Sequence, residues 1–217
     1  MREREASPYN KLLALGTMER EEGYEAQMKV QLDEAQATAV RQQFANGRFA
    51  TTRETRSLQY DNYLLFDTPD VDANKLRFRE DAFLNAKGEV REWRTRLTLL
   101  GEAQQSFPNQ IMLSRSRFWA AAHQSLRFYR EYFTPQQELE VHKERQRWVV
   151  DFGGVELAIN LDQILKPKLE GYFLEIKART WSRPDAEQKA KLIEQLLAEL
   201  GVASAAVLGE DYTDLVD

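Results

Sequence analysis

The sequence contains no cysteine and only two histidines among its 217 residues. The absence of cysteine excludes disulfide-stapled folds, cysteine nucleophiles and zinc sites built on thiolates. His123 and His142 lie far apart in the chain, and neither has a second histidine at ligand spacing. A metal site built on histidine is therefore not indicated.

Long apolar runs are missing as well. The opening residues lead into no stretch that resembles a signal peptide, and no segment is long enough to cross a bilayer. The net charge is −5, whereas a nucleic-acid binder that works through its overall field is normally basic. We therefore expect a cytoplasmic protein with no membrane partner and no sequence-specific nucleic-acid partner.

Glycine-based and serine-based catalytic motifs are also absent. Nothing in the sequence resembles a Walker loop, a Rossmann glycine pattern or a serine nucleophile elbow. There is no repeat, low-complexity tract or long linker, which favours a single domain. We interpret residues 1–22 as a loosely ordered leader and residues 23–217 as that domain.

What the sequence does contain is a series of short segments in which charged and apolar residues alternate. The segments at residues 75–79 and 173–179 are the clearest. In a strand, alternate side chains point to opposite faces, so Arg77 and Arg79 share one face and the residues between them share the other. The polar face is repeatedly cationic, which is typical of a surface that holds an anion.

This pattern predicts about eight strands and a few helices. The predicted strands are 24–33, 52–66, 74–80, 91–100, 109–118, 138–150, 154–162 and 171–179, and the predicted helices are 34–45, 118–133 and 184–200. The connections are mostly short, which favours an antiparallel sheet that curls. We therefore predict an α+β fold, an eight-stranded antiparallel β-barrel with covering helices. The amphipathic helices need an apolar surface to cover, so the charged face is expected to point inward.

On that assumption the inward face carries far more cations than carboxylates. Its twelve cations are Lys29, Arg77, Arg79, Arg94, Arg96, Arg115, Arg117, Lys143, Arg145, Arg147, Lys177 and Arg179, and its four carboxylates are Glu25, Glu156, Asp162 and Glu175. Crowded cations in a low-dielectric cavity repel one another unless an anion joins them. A small, highly charged phosphate compound is the natural guest, because the arginine fork suits phosphate oxygens. The competing interpretation is that these charges are solvated outer faces.

Short motifs, taken in order, add a family resemblance over residues 24 to 217. They are Glu25-x-Gln27-x-Lys29, Gln59-x-Asp61-x-Tyr63, Leu76-Arg77-Phe78-Arg79, Arg96-Leu97-Thr98-Leu99, Lys143-x-Arg145, Asp162, Gly171 to Ile176 and Tyr212 to Leu215. In order and spacing this set resembles the CYTH superfamily, also called triphosphate tunnel metalloenzymes. The resemblance implies an eight-stranded tunnel that holds a triphosphate with Mg2+ or Mn2+.

The resemblance also implies roles for individual residues. Phosphate would be bound by Lys29, Arg77, Arg79, Lys143 and Arg145, and the cationic pattern adds Arg96, Arg115, Arg117, Arg147, Lys177 and Arg179. The metal would be bound by Glu25 and Glu175, with Asp162 or Glu156 assisting. Lys29, Arg145 and Glu175 are the catalytic candidates.

The sequence departs from the family pattern at metal-binding positions. Gln27 and Lys177 stand where the family commonly has glutamate, Leu100 replaces a lysine, and residues 114–117 replace an acidic strand. A metal-dependent triphosphatase therefore competes with a class IV-like adenylate cyclase and with a non-catalytic module that binds a nucleotide or polyphosphate. A purely structural domain is the fourth hypothesis. The organic part of the ligand stays open, and so does a homodimer.

Overall fold

A computed structural model describes residues 7–15, 23–68, 74–100, 112–202, 205–208 and 212–215, and within these ranges the chain forms nine strands and five helices. The strands are β1 (Gly23–Leu32), β2 (Thr51–Leu65), β3 (Lys75–Leu84), β4 (Val90–Leu100), β5 (Met112–Ala121), β6 (Gln137–Phe152), β7 (Val155–Lys166), β8 (Tyr172–Thr180) and β9 (Ala206–Leu208). The helices are α1 (Pro8–Ala14), α2 (Glu34–Ala45), α3 (Leu126–Phe133), α4 (Arg183–Glu199) and α5 (Tyr212–Leu215). None of these helices combines the length and apolar character needed to cross a membrane.

All strand pairs of the sheet are antiparallel, in the order β5-β4-β3-β2-β6-β7-β8-β1-β9. Strand β1 also pairs with β5, the strand at the far end of this order, with Gly23 opposite Ser116 and Gln27 opposite Met112. The predicted antiparallel α+β fold is confirmed. The sequence pattern does not predict β9, which is only three residues long.

Helices cover the apolar face of the sheet in two places. The apolar residues of β1, β7 and β8 form one core with α2 and α4, in which Met28 and Ile176 meet Val40 and Ile193. The apolar residues of β2, β3 and β4 form a second core that includes α3. Because the strands alternate, the charged residues between these apolar positions lie on the other face of the sheet.

One predicted helix is wrong in its first half. The sequence predicts a single helix over the aromatic segment 118–133, but β5 continues to Ala121 and α3 begins only at Leu126. The reason is tertiary: Ala121 pairs with Arg96 of β4, so the backbone there completes the sheet. The Ser125 hydroxyl then accepts a hydrogen bond from the Phe128 amide, which starts the helix.

The described part of the predicted leader contacts the rest of the chain. Residues 8–14 form α1, and Leu12 is 1% exposed within the second core. The Lys11 ammonium donates to the carbonyl oxygen of Phe133 at 3.4 Å. The division into a leader and a single domain stays a prediction.

Candidate functional site

The face of the sheet turned away from α2 and α4, called the charged face below, carries ionised side chains that are almost fully buried. Its centre consists of Lys29, Asp61, Arg79, Lys143, Arg145, Asp162 and Glu175, none of which is more than 7% exposed. Charges removed from water at this level are stable only when they are paired and hydrogen-bonded. The way in which these ionised side chains pair with one another therefore determines which of them remain able to interact with a ligand.

Arg145 on β6 and Asp162 on β7 lie directly opposite each other in register. Arg145 donates from Nε and Nη2 to the two carboxylate oxygens of Asp162 at 2.6 and 2.5 Å, and the Tyr212 hydroxyl donates to Oδ2 at 2.7 Å. Burial alone would raise the pKa of Asp162, but Arg145 and Lys143 lower it below the usual range. Both oxygens of this predicted metal ligand thus already accept hydrogen bonds from the chain.

Arg79 on β3 and Asp61 on β2 form a second pair of the same kind, and they too are opposite each other in register. The two hydrogen bonds measure 2.5 Å from Nε and 2.6 Å from Nη2. Burial opposes the charged form of Asp61, yet Arg79 and Lys143 keep its pKa well below the usual range. Arg79 is therefore held by its own acid, which leaves less of its charge for a ligand.

Asp61 and Asp81 are acids of the charged face that the sequence-based count omits. Asp81 is fully buried, accepts a hydrogen bond from Gln59 at 2.6 Å and pairs with Arg96 at 2.7 Å. The excess of cations over carboxylates is therefore smaller than the sequence pattern predicts. The alternation of side chains along a strand could have identified both acids. Asp61 lies two residues after Gln59 and Asp81 lies two residues after Arg79, so each acid shares the face of that earlier residue.

Glu175 on β8 meets three donors of the chain. Its Oε2 lies 3.3 Å from Arg145 Nη2 and 3.2 Å from the Asn160 amide nitrogen, and its Oε1 lies 3.3 Å from Lys177 Nζ. The same Lys177 ammonium lies 3.6 Å from Glu25 Oε2. The two predicted metal ligands Glu25 and Glu175 are thus bridged by a lysine.

Lys29 and Lys143 both lie against the ring of Tyr212, with ammonium-to-centroid distances of 4.0 and 4.4 Å. Lys143 also has Asp61 Oδ2 at 3.5 Å and Asp162 Oδ2 at 3.8 Å, which are long for a hydrogen bond. Burial, followed by repulsion from Arg145, lowers the pKa of Lys143 to about 7. Tyr212 is a further residue of this site whose role sequence reasoning missed, although the closing motif contains it.

Several other predicted phosphate ligands are more exposed than the residues of this centre. Arg77 and Arg147 are half-buried, Arg179 is exposed, and the side chain of Arg96 is 43% exposed. In register, Arg115 lies opposite Tyr24, whereas its neighbour Ser114 lies opposite Glu25. The side chains of the two β5 cations, at 115 and 117, lie outside the described residues.

An apolar cluster lies at one end of the charged face. It includes Tyr63, Val141, Ile164 and Phe173 together with Tyr212. Toward the other end exposure rises, since the side chain of Lys177 is 24% exposed and that of Glu25 is 38% exposed. Within the described ranges, solvent therefore reaches the charged face from the Glu25 end.

The residues present do not fit a divalent metal ion. In the described part of the chain, no three side chains of aspartate, glutamate or histidine come together as a metal site would require. Mg2+ and Mn2+ favour several oxygen ligands at short distance, whereas the oxygens of Glu25 and Glu175 converge on an ammonium group. Asp162 lies on Arg145 instead.

No protein-family model matches the sequence, and no curated protein matches it significantly. Solved structures do match. A chain of the Mediator head module of Schizosaccharomyces pombe is 11% identical with a TM-score of 0.56, and the match covers 85% of this chain and 97% of that one. This chain has the same fold.

Two further matches are candidate cyclases. A candidate adenylyl cyclase from Hippeastrum, said to have a dominant triphosphatase activity, is 14% identical with a TM-score of 0.54 over 89% of this chain and 94% of that one. A candidate adenylate cyclase from Vibrio parahaemolyticus is 12% identical with a TM-score of 0.54 over 88% and 97%. These matches support the antiparallel α+β fold that the motif resemblance implies, and the closed eight-stranded tunnel stays a prediction. At these identities the likeness concerns the fold alone.

Proposed function

We propose that the strands of this chain enclose a tunnel, and that the charged face within it binds the phosphate chain of a small molecule. Inorganic triphosphate, thiamine triphosphate and nucleoside triphosphates are the candidate ligands. The pairing of β1 with β5 supports the tunnel, because that pairing joins the first eight strands edge to edge.

The observation that carries the proposal is the excess of positive charge on the charged face once its half-buried residues are counted with its buried ones. The buried or half-buried cations of the charged face are Lys29, Lys75, Arg77, Arg79, Arg96, Lys143, Arg145, Arg147 and Lys177, and its buried or half-buried carboxylates are Glu25, Asp61, Asp81, Glu92, Asp162 and Glu175. The low pKa of Lys143 has the same origin, since burial and the neighbouring Arg145 oppose its charge. An anion between Lys29 and Lys143 would relieve this repulsion, and a phosphate chain supplies several charges at once.

Hydrolysis of the bound triphosphate is the second candidate function. It is favoured by the dominant triphosphatase activity described for the Hippeastrum protein, which has this fold. The predicted mechanism requires a metal held by Glu25 and Glu175, and these residues are bridged by Lys177. Binding without turnover therefore fits the geometry better than a metal-dependent triphosphatase or an adenylate cyclase. The cytoplasmic location, the absence of a nucleic-acid partner and the homodimer remain predictions.

Calorimetric titration of the purified protein with inorganic triphosphate, in buffer containing a chelator, tests the proposal. We expect one ligand per chain and a higher unfolding temperature in its presence. Lys29→Met should weaken binding by about tenfold or more, because it removes a buried cation from the centre of the site. Lys191→Met is the matched control, since Lys191 is exposed on α4.

Two results would change the conclusion. If inorganic triphosphate neither binds nor stabilises the wild-type protein, the charged face is no phosphate site. If phosphate is released on incubation with the ligand panel and Mg2+ or Mn2+, and Glu175→Gln abolishes the release, the second candidate function replaces the first.

A further inference from the structure

We propose that the Lys177 ammonium acts as a built-in cation where a divalent metal would otherwise lie, so that the charged face takes up phosphate chains in their metal-free form. This inference rests on the proposed function, and it specifies which form of the ligand is bound.

The carboxylates around Lys177 support the first part of the inference. Lys177 Nζ lies 3.3 Å from Glu175 Oε1 and 3.6 Å from Glu25 Oε2, so one ammonium serves two acids that come from different strands. Gln27, directly opposite Lys177 in register, supplies a neutral side chain where a third acid would complete an oxygen cluster. The side chains of Glu25, Gln27, Glu175 and Lys177 together carry two negative charges and one positive charge.

The second oxygen of Glu175 is also occupied. Glu175 Oε2 faces Arg145 Nη2 and the Asn160 amide, at 3.3 and 3.2 Å. The Glu175 side chain is only 4% exposed, and Lys177 is foremost among the cations that keep its pKa below the usual range despite burial. A metal could reach Glu175 only by displacing Lys177 or by lying beside it, where two cations a few ångströms apart repel each other strongly.

The form of the ligand follows from the charge balance. Mg2+ bound to a triphosphate removes two of its negative charges, and these are the charges that attract Lys29 and Lys143. In a conventional metal site this loss is offset because carboxylates of the protein coordinate the same ion. Here Glu25 and Glu175 already have Lys177 as a cationic partner, so they do not compensate for the negative charge that the ligand loses when it binds Mg2+. Mg2+ should therefore compete with the protein for triphosphate.

Titration with Mn2+ alone tests the role of Lys177 without any phosphate ligand. Wild type should show no saturable site for one Mn2+ per chain by electron paramagnetic resonance, whereas Lys177→Glu should gain one. Lys191→Glu makes the same charge change on an exposed part of α4 and should gain none. The inference is overturned if wild type binds one Mn2+ and loses it in Glu175→Gln, or if Lys177→Glu and wild type respond alike while both remain folded by circular dichroism.

Titration with inorganic triphosphate, with a chelator or with excess Mg2+, tests the ligand form. For wild type we expect Mg2+ to weaken binding by about tenfold, and for Lys177→Glu we expect Mg2+ to strengthen it. Stronger binding by wild type in Mg2+ overturns the inference and leaves phosphate binding intact. Absence of binding in both buffers refutes the proposed function, and the Mn2+ titration still decides the role of Lys177.

Discussion

At the scale of single residues, two kinds of buried cation lie on the charged face. Arg79 and Arg145 each donate two hydrogen bonds to an aspartate directly across a strand pair, which fixes their orientation. Among the described residues, the carboxylate oxygen nearest to the Lys143 ammonium is Asp61 Oδ2 at 3.5 Å, and Lys143 is 2% exposed. The two arginines are therefore held in place by their own aspartates, whereas Lys143 lacks such close hydrogen bonds to any described carboxylate, and under the proposed function an anion would favour its charged form.

Lys143 makes the stability of the protein depend on pH. Burial and repulsion from Arg145 lower its pKa to about 7 from 10.5, so between these values the unfolded chain binds one more proton than the folded chain. Its contribution to the free energy of unfolding rises with pH across that window. Lys143→Met should therefore be more stable than wild type at pH 7, with an advantage that shrinks by about 3 kcal/mol toward pH 10.

Urea unfolding of both proteins at four pH values between 7 and 10 measures this difference. Lys191→Met, on the surface of α4, should track wild type at every pH. A stability difference between Lys143→Met and wild type that does not change with pH would show that Lys143 has an ordinary pKa in the folded state.

Single residues also show where sequence reasoning stops. Alternation along a strand predicts which side chains share a face, and it correctly groups Arg77 with Arg79. Pairing needs the register between strands, which the sequence of one strand does not contain. The partnership of Arg79 with Asp61 depends on β2 and β3 lying in the register that places them opposite each other. A count of charges along the chain therefore overestimates the number of cations that have no carboxylate partner.

At the scale of elements, the strand predictions succeed wherever charged and apolar residues alternate. Predicted strand 138–150 corresponds to β6, and predicted helix 184–200 corresponds to α4. The prediction fails at residues 118–121. Aromatic and alanine residues are compatible with either a helix or a strand, and the pairing with β4 makes this segment a strand. The ends of elements are set by turns, and one of these turns positions the site.

Gly171 precedes β8 and lies against the end of β1. Its φ is +80°, and a Cβ built there would lie 2.7 Å from the carbonyl oxygen of Leu32. Gly88 has the same φ with no atom within 4 Å of such a Cβ. We expect Gly171→Ala to lower the free energy of unfolding by about 2–4 kcal/mol and Gly88→Ala by only about 1 kcal/mol, because only the first adds a clash with backbone to the cost of a positive φ.

Chemical denaturation of the two glycine variants separates these costs. A clash at Gly171 would disturb the pairing of β1 with β8, in which Lys29 lies opposite Glu175, so Gly171→Ala should also weaken triphosphate binding. Equal destabilisation by the two substitutions would mean that β1 shifts to accommodate the added methyl group with little loss in the free energy of unfolding.

At the scale of the whole molecule, charge is distributed unevenly between the surface and the charged face. The net charge of the chain is −5, while the buried and half-buried cations of the charged face outnumber its carboxylates. The composition alone therefore excludes a broadly basic binding surface and says nothing against a small internal anion site. Only the fold, which separates the two faces of each strand, makes an acidic protein and a cationic site compatible.

The integration of α1 is the remaining question at this scale, because the sequence predicts a loosely ordered leader there. Leu12 is 1% exposed in the core that includes α3, and its neighbour Leu13 is 38% exposed. If α1 belongs to the cooperative fold, Leu12→Ala should lower the free energy of unfolding by about 2–3 kcal/mol and Leu13→Ala by about 0.5 kcal/mol or less. Unfolding followed by circular dichroism and by tryptophan fluorescence should then give one shared transition, shifted only in Leu12→Ala. If both variants unfold like wild type, α1 contributes little to the stability of the sheet, and residues 1–22 are the separable leader that the sequence predicts.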